Sequence, residues 1–342
     1  MTQIATIAFS QSDLRLVIEH LRDIYINRKK ILTYTLYGEP VLRPHPYTKI
    51  GGRKIRGPPI SESYLRSFDI VEHYSPVIAV DASIKTLLNL GSFRIVVSKV
   101  VAGLWKGIKR KALLGPYKRI RVIEDKEEAG EWLLRLELEI AIKAARRFEA
   151  RYCLLDRSLV FPPSLKESTF KLAQKLDNLI SAKNGYLVGV VKSSKLSLNT
   201  GESLIGYLIS MAGARLRGLT WYYHPVFREH ILPDWFIGDI VVARLSESIE
   251  NALRIDISRK TLRKIPLERI IGELAFMQDI ATPGYPYPLK AVHNLATISD
   301  SELQMDKIIL LDILEKEGLG KCVFSSLSAC NFREKYFWGD GI

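Results

Sequence analysis

The chain has 342 residues, 47% of them hydrophobic and 25% charged, which excludes intrinsic disorder, a collagen-like repeat and a low-complexity scaffold. Its length suits about two domains or one large α/β unit with insertions, and such a chain can bury a substantial core. Fifty Lys and Arg against 37 Asp and Glu leave a net charge of +13, which directs attention to polyanions, with nucleic acid first and an anionic membrane surface second.

Residues 12–30 carry Leu14, Val17, Ile18, Leu21, Ile24 and Tyr25 at helical spacing behind Ser12 as a candidate N-cap. The run VLRPHPYTKIGGRKIRGPPI (41–60) is rich in Pro, Gly and basic residues and is expected to break regular structure, at a boundary between an N-terminal arm and the main domain. PVIAVDAS (76–83) predicts a buried strand with Asp81 at its C-terminal end, and the β-branched stretch 92–105 a second strand. A basic region follows over 106–123, with a third strand expected only towards its end. Residues 126–150 predict a helix, and the run YCLLDRSL (152–159) a strand that ends in Asp156. Further strands are expected over 185–194 and within 235–257, and helices over 204–217 and near 264–277. A last helix, 300–316, opens on a capping box of Ser299 and Glu302. The reading is an α/β fold with a mixed sheet.

Cys153, Cys322 and Cys330 are too few for a secreted disulfide framework and lack zinc-ligand spacing, although Cys322 and Cys330 can pair in an organism that tolerates intracellular disulfides. The N-terminus has no signal-peptide pattern and no stretch reaches ~18 uncharged apolar residues, so a soluble cytoplasmic protein without a membrane segment is expected.

Two strands that each end in an aspartate, joined through a helix that carries acids, form a chemical pattern. A hard divalent cation needs oxygen ligands that converge from different elements. On a wheel with ~100° per residue, Glu137 falls inside the apolar face with Leu133, Ile140, Ala144 and Phe148. Glu139 falls on the charged face within reach of Lys143. A carboxylate in an apolar stripe is costly unless it is paired or binds a metal, so Glu137 is either a buried salt bridge or a ligand. Asp81, Glu137 and Asp156 together favour a metal site. Carboxylate-held cations suit phosphoryl transfer, one activating water and one stabilising the leaving oxygen. With a charge of +13, the substrate indicated is a phosphodiester backbone. The strand–helix–strand placement is that of a ribonuclease-H-like fold, by analogy.

In this order VIAVDAS, the Glu137 helix, YCLLDRSL, GVVKSS and GYPYPLKAVHNLA resemble the NurA nuclease family of archaea and some bacteria, over roughly residues 70–300. The resemblance implies a ribonuclease-H-like mixed sheet flanked by helices, with an N-terminal helical arm (1–70), a nuclease core (71–300) and a C-terminal helix and aromatic tail (301–342). It implies Mn²⁺- or Mg²⁺-dependent cleavage of single- and double-stranded DNA, 5′→3′ exonuclease and single-strand endonuclease activity, and a homodimer docked on a HerA-type hexameric translocase in end resection. It assigns Asp81, Glu137, Asp156 and His293 as metal-binding and catalytic residues, with Tyr285 beside them. The family usually has Asp-Gly-Ser at both aspartates, whereas here Ala82 and Arg157 replace the glycines. Arg157 either crowds the site or contacts a phosphate.

Lys192 either contacts the scissile phosphate or is a solvated lysine, and Tyr285 and Tyr287 either stack on DNA or pack on the core. Two basic clusters are candidate DNA contacts: one with Arg53 and Arg56, the other with Lys106, Lys109, Arg110, Lys111, Lys118 and Arg119. Trp105 and Tyr117 offer aromatic surface beside the second. Tyr336, Phe337 and Trp338 make the tail aromatic. The alternatives kept open are a catalytically weak DNA-binding subunit and a ribonuclease or resolvase on the same fold.

Overall fold

A computed structural model describes residues 11–22, 44–50 and 52–330. Residues 23–30 of the first predicted helix, Arg43, and the tail with Tyr336, Phe337 and Trp338 lie outside them, as does the side chain of Cys330. Helix α1 spans Gln11–Arg22. Strands β1 (Pro46–Ile50) and β2 (Arg53–Arg56) follow, then β3 (Leu65–Ser67). Three long strands come next, β4 (Val77–Asn89), β5 (Arg94–Lys106) and β6 (Lys109–Ile123). Helix α2 (Lys126–Arg147) leads to β7 (Tyr152–Leu155), and α3 (Glu167–Ala182) to β8 (Tyr186–Val191). Then come β9 (Ser197–Leu198), α4 (Leu204–Arg215), β10 (Trp221–Tyr223), β11 (Gly238–Arg244) and β12 (Leu253–Ser258). The described chain closes with α5 (Arg259–Leu262), α6 (Leu267–Phe276), α7 (Tyr287–Ala296), α8 (Asp300–Lys316) and α9 (Gly320–Cys330).

Nine strands form one sheet in the order β3-β10-β11-β12-β8-β7-β4-β5-β6. Strands β4, β7 and β8 run parallel and all other neighbours are antiparallel. The segment β6-β5-β4-β7-β8 is therefore a meander continued by two parallel strands, and helices α2 and α3 precede β7 and β8 as crossovers. This is the ribonuclease-H-like layout, a mixed sheet flanked by helices.

Period-2 alternation divides the core between the two faces. Val77 and Ala79 of β4 and Tyr152 and Leu154 of β7 pack with Ile271, Leu274, Leu289 and Val292 of α6 and α7. Ile78, Val80, Cys153 and Leu155 pack on the other face with Leu138, Ala141, Ala145 and Leu176 of α2 and α3. Burial in that second layer pushes the Cys153 thiol up to about 12, as expected of an inert core residue. The outer half of the β4–β5 ribbon carries a separate apolar cluster, in which Leu87, Leu88, Ile95 and Val97 meet Leu303, Leu310 and Leu314 of α8.

Strand β4 runs past Asp81 to Asn89, paired with β5 throughout, so Asp81 lies within a strand and not at its C-terminal end as expected. Three further expectations change. The basic run 41–60 contains a hairpin, with Ile50 opposite Arg53 and Gly52 at φ +77° in the turn. β-capable residues on both sides of a Gly-Gly pair outweigh the flanking prolines. The basic region 106–123 is strand almost throughout; as an edge strand it accommodates Gly115-Pro116 in a register shift opposite Val100–Ala102. The third change is an addition, α3, which the sequence reading does not include. The capping box is half-formed: Ser299 Oγ accepts from Glu302 N at 3.1 Å, while the Glu302 carboxylate turns to Lys99 and Lys118. No helix among the described residues is long and apolar enough to cross a membrane.

Candidate metal centre

Register sets the site. Val80 pairs with Leu155 across the parallel β4–β7 ladder, so Asp81 and Asp156, one residue further on, emerge side by side at the C-terminal end of β7. Asp81 follows Val77 and Ala79 in parity, which turns it towards the layer that contains α7. There His293 Nδ1 lies 2.7 Å from Asp81 Oδ2 and 3.9 Å from Asp156 Oδ2. Ser83 Oγ donates to the Ala296 carbonyl, which ties the end of α7 to β4. The Ala82 amide donates to Asp81 Oδ1 at 2.8 Å.

One donor atom from each of Asp81, Asp156 and His293 lies within 4.8 Å of the other two. Two carboxylate oxygens and an imidazole nitrogen at this spacing fit a divalent cation of the Mn²⁺ type. Burial, and after it the neighbouring Asp156 carboxylate, raise the Asp81 carboxyl above its ordinary range, while His293 opposes the shift. Two acids held this close without a cation repel each other.

Glu137 lies in the buried stripe of α2, as its place on the wheel requires, and forms an ion pair with Arg157. Burial pushes its carboxyl up to about 7, against the opposing pull of Arg157. Of the two sequence alternatives this contact is the buried salt bridge, and the charges of Asp81 and Asp156 add to the upward shift of the Glu137 carboxyl. Glu139 is exposed as expected, but its partner is Arg135 at 2.9 Å. Lys143 instead sits 5.2 Å from the ring centre of Tyr117.

Lys192 follows β8 directly and places Nζ 2.5 Å from Asp156 Oδ2, so among these side chains it supplies Asp156 with a counter-charge. The same ammonium lies 5.0 Å from the ring centre of Tyr285. Tyr285 is buried, and burial together with the Asp156 charge keeps its phenol protonated far above neutral pH. A cavity of about 310 Å³ lined by Leu253, Lys290, Lys192, Tyr285 and His293 adjoins the triad.

A buried network fixes the turn after Asp156. Asp256 on β12 accepts from Ser158 Oγ at 2.7 Å, Leu159 N at 2.9 Å, Arg254 Nε at 2.7 Å and Arg254 Nη2 at 2.8 Å. Gly189 lets the Arg157 backbone approach, since a Cβ there would lie 2.2 Å from the Arg157 carbonyl oxygen. The sequence reading did not single out Arg254 and Asp256. Their signal is an i, i+2 charged pair on one face of a strand whose other face is Leu253, Ile255 and Ile257.

The basic candidates separate. Lys118 and Arg119 sit near the level of the site, because Ser83 pairs with Lys99 and Lys99 with Lys118. Lys118 is already matched by Glu302 at 2.8 Å and Asp306 at 2.7 Å. Lys106, Lys109, Arg110 and Lys111 cluster at the β5–β6 turn, where Val77 rather than Asp81 is opposite β5. Arg53 and Arg56 are exposed on β2, in the small sheet β2-β1-β9.

Sheet order, the parallel centre, and the carboxylates of Asp81 within β4 and Asp156 just after β7 define a ribonuclease-H-like α/β protein with a candidate divalent-cation site. The NurA domain model matches residues 75–298, and the chain belongs to the NurA family of nucleases. Its fold is similar to the NurA nuclease of Sulfolobus solfataricus, at 15% identity and a TM-score of 0.55, over 90% of this chain and 98% of that one. It is equally similar to a second NurA structure, at 10% identity and a TM-score of 0.55, over 89% and 97% of the two chains. No curated protein matches the sequence.

Proposed function

We propose that this nuclease is a divalent-cation-dependent deoxyribonuclease that cleaves the DNA backbone at Asp81, Asp156 and His293. The convergence of these three donors at the end of the parallel strands carries the reading. A cation of the Mn²⁺ or Mg²⁺ type, when bound, supplies Lewis-acid polarisation of the phosphate and activation of water. The remaining steps belong to side chains. Asp81 and Asp156 fix the charge that attracts the cation, and Ser83 and the Ala82 amide hold Asp81 and α7 in register. Lys192 leaves Asp156 for the phosphate oxygens as negative charge develops there. Tyr285, protonated throughout, lines the adjoining cavity, which has room for part of a nucleotide.

The finer activities follow from the family resemblance: 5′→3′ exonuclease and single-strand endonuclease cleavage in end resection, by a homodimer with a HerA-type translocase. Arg119, Arg53, Arg56 and the β5–β6 turn residues are the proposed DNA contacts. A second reading, a catalytically weak DNA-binding subunit, is favoured by one observation, the Arg157 guanidinium against Glu137.

The test is end-labelled single-stranded DNA with Mn²⁺, for the parent and for Asp81→Asn and Asp156→Asn. Cleavage by the parent alone is the expected result. Binding of DNA without cleavage by the parent, also with a translocase present, supports the second reading. Equal cleavage by all three proteins refutes the site.

A further inference from the structure

We propose that the Arg157 guanidinium is a resident cation standing in for a second divalent ion, so that this chain holds one metal ion, at Asp81, Asp156 and His293, and does not use Glu137 as a ligand. The inference rests on the metal-dependent reading of the site given above.

Four observations carry it. First, the donor atoms that converge belong to Asp81, Asp156 and His293, whereas Glu137 is engaged by Arg157. Second, the arginine is built in. Ser158 and Leu159 are held by Asp256, and Gly189 receives the Arg157 carbonyl at a distance no side chain permits. The backbone of residue 157 is therefore fixed on both sides, and its side chain is directed at the one buried acid of α2. Third, the charges match one ion. Asp81, Glu137 and Asp156 carry three negative charges when ionised, and Arg157 and Lys192 return two of them. One divalent ion and one substrate phosphate then bring the cluster to neutrality. Two ions would leave a surplus of two positive charges in a site where three of the acids are largely shielded from water, a costly arrangement at low dielectric. Fourth, the chemistry of the two cations differs. A guanidinium remains protonated and offers a rigid fork of donors, so it can stabilise phosphoryl oxygens but cannot ionise water. The site is thus asymmetric, with water activation confined to the Asp81–Asp156–His293 side.

The experiment counts ions on the full-length protein by calorimetric titration with Mn²⁺, checked by the paramagnetic resonance signal of free Mn²⁺. The parent is expected to bind one ion, Arg157→Gly two, and Arg157→Gly combined with Glu137→Gln one again. Glu137→Gln alone, which keeps the arginine, is expected to bind one ion, more weakly than the parent because one of the three negative charges near the cation is lost, so the number of ions and not the affinity is the readout. Two ions on the parent overturn the proposal and leave the metal-site reading intact. No ion on the parent overturns both. A single ion on folded Arg157→Gly overturns the proposal, and a single ion on Arg157→Ala does so if Arg157→Gly does not fold.

Discussion

The Arg254–Asp256 ion pair behind the turn that follows Asp156 should be the most sensitive point of the structure outside the candidate site. Asp256 is fully buried and receives four hydrogen bonds, two of them from Arg254, which is 7% exposed. Asp256→Asn preserves shape and one carbonyl oxygen, so Leu159 N or Ser158 Oγ keeps an acceptor, but Arg254 loses its counter-charge in the interior. Breaking a buried pair from one side costs about 3–5 kcal/mol, most of it the penalty of the charge left behind. With each kcal/mol worth ~2–4 °C in a domain of this size class, the midpoint should fall by roughly 6–20 °C. The assay is thermal melting followed by far-ultraviolet circular dichroism, in excess EDTA so that metal binding does not enter the comparison. Replacing both partners, Arg254→Met with Asp256→Leu, removes the stranded charge and should be milder than Asp256→Asn alone. The double variant also removes the turn's anchor, so Mn²⁺ affinity should drop ~10–100-fold there and by less in Asp256→Asn, which keeps an acceptor for the turn. A fall below 2 °C for Asp256→Asn, or a double variant less stable than the single one, would refute the reasoning.

Three further outcomes are expected. Gly189→Ala forces a Cβ against the Arg157 carbonyl oxygen and should cost ~1–3 kcal/mol, visible as a lower denaturant midpoint; an unchanged midpoint contradicts the close approach. Lys118→Ala should leave DNA affinity almost unchanged, since Glu302 and Asp306 already match its charge, whereas Arg119→Ala should lower the slope of log affinity against log salt by about one; equal slopes for both variants would contradict this division. His73 is shifted below its ordinary value by burial, its largest cause, so the unfolded chain binds more protons between the folded value and 6.5. Its contribution is therefore complete above pH 6.5 and is lost as pH falls through that window, and His73→Gln should flatten the pH dependence of the melting midpoint there. An unchanged slope in the variant would show that His73 does not set it.

Legibility differed between residues for physical reasons. Asp156 is legible because an apolar run that ends in an acid marks a buried strand entering a polar edge; the same pattern picks out Asp81, although its ladder with β5 carries β4 on to Asn89. Glu137 was readable because helical period alone places it among Leu133, Ile140 and Ala144. His293, Tyr285 and Lys192 came through the family resemblance and a strand-end position, since a lone His, Tyr or Lys carries no local signature. The hairpin at β1–β2 and the length of β6 are not legible in the sequence, because Pro, Gly and basic residues act locally as breakers while ladder pairing with a neighbour decides the outcome. Arg254 and Asp256 were missed because their role depends on Ser158 and Leu159, almost a hundred residues away in sequence.

The sequence by itself determined the apolar strands that carry Asp81 and Asp156, the amphipathic helix bearing Glu137 and the positive charge, all of which are local properties of composition and period. Only the tertiary structure decided which of the acids converge with His293 into a candidate cation site and which is paired with an arginine. Those outcomes depend on the Val80–Leu155 register, on α7 lying over the face to which Asp81 points, and on the clamp that aims Arg157 at Glu137. Each is set by strand pairing and helix packing between distant segments, and no local pattern encodes the distance between residues that are brought together only when the sheet closes.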